Sequence, residues 1–126
     1  MYRLLFFISL IVFLSSCRRI YINEVEIVNN AEEDLFIDFE SADGIKDTSI
    51  TLPSGESAFI YKQSRRGKVE EFNCCPCEIE AFEVKVINSS KVLTKSFIHN
   101  KNWFLGHEEE SKKVICNFTI EETDLQ

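Results

Sequence analysis

The sequence predicts an all-β domain, and three observations carry that reading. Apolar and polar residues alternate singly over short stretches, turn-forming Gly, Pro, Asn and Asp fall between those stretches, and no convincing helical spacing of apolar residues competes with them.

Val25-Glu26-Ile27-Val28 reads as the first strand, and Asn29-Asn30 with the acidic Glu32-Glu33-Asp34 run marks the turn after it. Leu35, Ile37 and Phe39 alternate with Asp38 and Glu40, which predicts a strand with one wet face. Asp43-Gly44 is a turn signal, and Ser49 to Leu52 resumes the alternation. Pro53-Ser54-Gly55 suits a turn, with proline fixing φ early and glycine supplying a positive φ. Ser57 to Lys62 follows as a strand with Phe59 and Tyr61 on one face, and Gln63 to Asn73 is polar and irregular. Phe82, Val84 and Val86 alternate with Glu83 and Lys85. The spacing of Ile79, Phe82, Glu83 and Val86 also fits a helix, but the β-branched run from Val84 favours a strand. Asn88-Ser89-Ser90 reads as a hairpin loop into a strand over Lys91 to Ile98. His99 to Ser111 is a longer loop, and Lys112 to Ile120 is the clearest strand, with Val114, Cys116, Phe118 and Ile120 on one face. Seven strands over about 100 residues predict a single antiparallel β-sandwich of immunoglobulin-like type. It spans residues 25–121, with 17–24 a lipidated N-terminus and short tether and 122–126 a frayed tail.

At the start, Arg3 precedes an apolar run from Leu4 to Leu14 relieved only by Ser9. Its length suits the core of a secretory signal and falls short of the roughly 20 residues that span a bilayer. The run ends in Leu14-Ser15-Ser16-Cys17, which resembles the lipobox of bacterial lipoproteins: an aliphatic residue, two small residues, then the cysteine that is lipidated. That resemblance implies cleavage of residues 1–16, a diacylglyceryl thioether on Cys17, and anchoring to a membrane of the bacterial envelope on its extracytoplasmic side. Two or more acyl chains hold a protein stably where one does not. Arg18 and Arg19 follow, where acidic residues direct lipoproteins of some bacterial groups to the cell surface. Taken whole, the chain resembles short bacterial lipoproteins, and the likeness carries no site residue beyond the lipobox.

The chain of 126 residues has a formal charge of −7, and the part after residue 16 keeps 13 basic and 21 acidic side chains. That balance argues against nucleic acid as a partner, since such binding rests on neutralising phosphates with Lys and Arg. A protein or glycan partner is the expectation.

With Cys17 consumed by lipid, Cys74, Cys75, Cys77 and Cys116 form an even set in an oxidising compartment, which reads as structural disulfides. A Cys74–Cys75 bond would be vicinal and strained. The favoured pairing therefore joins Cys74 or Cys75 to Cys116 and the remaining one to Cys77. Cys74-Cys75-Pro76-Cys77 also looks like the C-x-P-C motif of thioredoxin-type proteins, but no βαβ pattern surrounds it. As a zinc half-site, Cys74 and Cys77 would need Cys116 with His99 or His107 to complete four ligands. Arg65-Arg66-Gly67-Lys68 is a concentrated positive patch. It reads as a solvated loop tip, with an anionic glycan, a phospholipid head group or an acidic partner as its functional alternative. Trp103-Phe104-Leu105 reads as a plug over the core, with an exposed aromatic platform as the alternative. His107-Glu108-Glu109-Glu110 lacks the second histidine of a zinc-protease motif, no triad or carboxylate pair has supporting spacing, and no cofactor is implied. The expectation is a non-enzymatic binding or structural module, with a thiol-based metal or redox protein as the alternative.

Overall fold

The computed structural model describes residues 19–44 and 47–126. Seven strands run in the order β1 (Ile20–Asn30), β2 (Leu35–Ser41), β3 (Asp47–Leu52), β4 (Ser57–Arg66), β5 (Ile79–Val86), β6 (Phe104–Glu108) and β7 (Lys113–Glu121), with short 3₁₀ turns between some of them. They form two sheets, one ordered β4-β1-β7-β6 and the other β3-β2-β5. The domain is all-β.

Five expectations are corrected. The sheets are not wholly antiparallel, because β1 and β7 pair in parallel from Ile22–Lys113 to Asn30–Glu121. Residues 20–24 are not a tether. They belong to β1, paired with β4 throughout and with β7 from Ile22 onward, and bury Tyr21, Asn23 and Glu24. The tail is held rather than frayed: Leu125 is buried, Asp124 closes a capping box with Glu121, and Val92 and Gln126 exchange backbone hydrogen bonds of 2.7 and 3.1 Å. That tail also explains why Lys91 to Ile98 is no strand. Its donors go to the carbonyls of Asp124 and Gln126, leaving isolated bridges Lys85–Val92 and Leu93–Leu125. The seventh strand is instead β6, inside the stretch expected to be loop, where it pairs with β7.

One core cluster draws on both sheets, with Val25, Ile27, Phe118 and Ile120 from one and Leu35, Ile37, Phe39 and Phe82 from the other. Phe118 sits at its centre, 5.6 Å from the Phe82 ring and 4.9 Å from Trp103. Burying one such side chain contributes about 1.5–3 kcal/mol. The turn at Pro53-Ser54-Gly55 has Gly55 at φ +77°, and the Gly55 amide donates to the Asn29 carbonyl at 2.8 Å.

Between Val25–Tyr61 and Glu26–Phe59 the β1–β4 register skips Ile60, a bulge that leaves Ile60 and Tyr61 both buried. Beyond it Tyr61, Gln63 and Arg65 share the covered face of β4, while Lys62, Ser64 and Arg66 face out. Asn23 lies opposite Gln63 on the inward face of β1. It separates the main core from a smaller cluster of Tyr21, Val69 and Val114.

Candidate functional site

The start of β1, the end of β4 and the β6–β7 turn meet at one end of the larger sheet, where Ile20 lies opposite Arg66 and Ile22 beside Lys113. There the chain leaves β4 through Gly67, whose amide donates to the Arg19 carbonyl at 2.9 Å. A cavity of about 640 Å³ opens at this junction. Cations Arg19, Lys68 and Lys112 and carboxylates Glu70, Glu71 and Glu109 line it, over a floor that includes Tyr21 and Gly67.

Two backbone features keep this space. Gly67 has φ +148°, and a Cβ there would stand 3.4 Å from Glu71 Oε2 and 3.5 Å from the Tyr21 ring. Lys112 holds φ +53°, a left-handed conformation that suits glycine and costs a lysine about 1 kcal/mol or more. The carboxyl groups of Glu70 and Glu109 are hydrogen-bonded to each other. That contact holds Glu70 below the usual carboxylate range, with Lys68 and His107 adding to the effect, and pushes Glu109 above it. Burial raises the Tyr21 phenol.

The residues singled out in the sequence are dispersed. Cys17 lies outside the described residues. Cys74 is paired with Cys77 across a 3₁₀ turn at Pro76–Glu78, Cα atoms 5.5 Å apart, with Cys77 exposed. Cys75 is paired with Cys116, Cα atoms 5.3 Å apart, and both are buried. His99 precedes a 3₁₀ turn at Asn100–Asn102, and His107 Nε2 lies 3.1 Å from the Phe72 carbonyl oxygen. Among the described residues no group of three His, Cys, Asp or Glu side chains is placed to hold a metal ion.

The basic run divides. Arg65 turns inward and donates from Nη2 to Oε2 of buried Glu78 at 2.5 Å, while Arg66 stays exposed and only Lys68 reaches the cavity. Trp103 is buried, donating its indole N–H to the Phe97 carbonyl at 2.6 Å, so it offers no exposed platform. Its neighbour Phe104 is 70 % exposed. Sequence reasoning missed Arg19, Tyr21, Glu70, Glu71, Glu109 and Lys112 as one site, because three distant segments supply them.

Comparison with protein-family models, curated proteins and solved structures finds no match for this chain.

Proposed function

We propose that this protein is a lipid-anchored, extracytoplasmic module of the bacterial envelope that binds a ligand without transforming it, using the cavity at the start of β1. The observation that carries the reading is the position of that cavity. Arg19 lines it, and only Arg18 separates Arg19 from Cys17, a reach of about 7 Å at full extension. An acylated Cys17 would hold the cavity at the membrane surface. A β-sandwich of immunoglobulin-like type fits the single core shared by the two sheets, with the parallel β1–β7 pair as its departure from a wholly antiparallel arrangement. Intact-mass analysis of the protein from cells tests the anchor. A mature chain starting at an acylated Cys17 is expected, and Cys17→Ala should accumulate as unprocessed precursor; normal maturation of that variant would overturn the anchor.

The exposure of Cys77 favours one second reading, a thiol-based role for the Cys74–Cys77 pair. It predicts that Cys74→Ser with Cys77→Ser abolishes a reductase or metal-binding activity while the fold persists. Loss of stability alone would leave the pair structural.

A further inference from the structure

We infer that the cavity binds a zwitterionic phosphate–ammonium group, the chemistry of a phosphoethanolamine head group, with the phosphate held by Arg19, Lys68 and Lys112 and the ammonium by Glu70, Glu71 and Glu109. The inference rests on the cavity being the binding site and adds the class of ligand.

Charge selects the ligand. Three cations and three carboxylates line one cavity, so a simple anion meets carboxylate repulsion and a simple cation meets the opposite. A ligand carrying both charges a few bonds apart satisfies both halves. The volume lies within the roughly 300–1,000 Å³ of small-molecule sites. Glu70 and Glu109 line the same cavity, where a cation between their carboxylates relieves like-charge repulsion, and an ammonium offers three N–H donors for that position. The ligand's methylenes would meet Tyr21 and the buried Val69.

The backbone points the same way. Lys112 keeps a left-handed conformation that glycine would adopt without strain, and thereby lines the cavity with an ammonium. Gly67 leaves open the space that a side chain would take beside Tyr21 and Glu71. A chain of net charge −7 nonetheless brings three cations from three segments to this one place.

The test titrates ¹⁵N-labelled full-length protein, in maltoside micelles without phosphate head groups, with O-phosphoethanolamine, inorganic phosphate and ethanolamine separately. Saturable shifts at Gly67, Lys68 and Lys112 with O-phosphoethanolamine, and binding about tenfold weaker with either half alone, are expected from losing one set of charged contacts. Lys112→Gly should weaken binding about tenfold with no loss of melting temperature, and Lys68→Ala should weaken it similarly. Equal affinity for inorganic phosphate, no shifts, or unchanged affinity in both variants would overturn the proposal. A second arm places the protein in nanodiscs of phosphatidylethanolamine or of phosphatidylglycerol. Shifts at the same amides only in the former identify the bilayer as the source, and shifts only with the free compound identify a soluble one. The mass of residue 17 separates the two claims. Binding by protein with unmodified Cys17 keeps the site and removes the anchor, while acylated Cys17 without binding removes the site alone.

Discussion

Arg65, on the inward face of β4, donates from Nη2 to Oε2 of Glu78 at 2.5 Å, and the Glu78 side chain is only 8 % exposed. The pair ties β4 to the 3₁₀ turn that carries Cys77, so a residue from a basic run serves inside the fold. Removing Arg65, whose own side chain is 39 % exposed, strands the buried Glu78 charge. Arg65→Ala should therefore cost about 1–3 kcal/mol in urea unfolding, whereas Arg65→Met with Glu78→Leu together should recover most of that loss. A double variant as unstable as Arg65→Ala would show that the pair itself stabilises the fold.

The two disulfides should differ in both accessibility and contribution. Cys75–Cys116 closes a separation of 41 residues in the buried core, and its removal as Cys75→Ala with Cys116→Ala should cost about 4 kcal/mol on the chain-entropy account. Cys74–Cys77 closes a separation of only 3 and should contribute about 2 kcal/mol or less. Limiting dithiol followed by alkylation and peptide mapping should label Cys74 and Cys77 first, and initial labelling of Cys116 would contradict the burial argument.

Asn23 is fully buried, and among the described residues neither its Nδ2 nor its Oδ1 has a hydrogen-bond partner. A buried amide without partners costs about 1–3 kcal/mol. Asn23→Leu, which keeps the number and branching of side-chain heavy atoms, should raise stability by about 1 kcal/mol as it joins the two apolar clusters. A loss of that size in denaturant titration would mean that the amide is satisfied by solvent held inside the fold.

Stability should fall at both pH extremes for identifiable reasons. The hydrogen bond from Lys91, with another from the Glu32 amide, holds the Glu122 carboxyl down to about 2. A depressed carboxylate stabilises the fold above its ordinary value near 4.5, and that stabilisation disappears as pH falls toward 2. Glu122→Gln should flatten the profile in this window.

The alkaline side depends on Tyr61. Burial and then its hydrogen bond to Asp43 push its phenol up to about 12, so its stabilisation is whole below pH 10 and lost as pH rises through 12. In Tyr61→Phe the tyrosinate absorbance and the unfolding signal should no longer rise together over that range.

The alternation that marked β2, β3, β5 and β7 was legible because each buries one face against a common core. In β4 it misled: the bulge at Ile60 leaves Phe59 exposed and Tyr61 buried, so the two do not share a face. Residues 20–24 misled because the strand buries Asn23 inward while Glu24, on the other face, is covered through its ion pairs with Lys62 and Lys113 at 2.9 and 3.6 Å. Polar residues at buried positions imitate a linker. Arg65 misled because the bulge at Ile60 changes which residues of β4 face in, an effect that depends on β1 and is invisible in β4 alone. The cavity was illegible for a related reason: its six charged residues become neighbours only when residues 19–21, 67–71 and 109–112 converge.

The parallel pairing of β1 with β7 also sets an order of events. Asn30 donates its side-chain amide to Glu121, 91 residues away, and every backbone partner of β1 on that side belongs to the closing segment of the domain. A chain emerging from its N-terminus thus presents β1 with one flank open until residues 113–121 arrive. Folding of the larger sheet is necessarily a late, whole-chain event, slow for its size because the defining contacts are so remote in sequence. A ribosome or a translocation channel holding those last residues would keep the opposite end of the molecule unfinished.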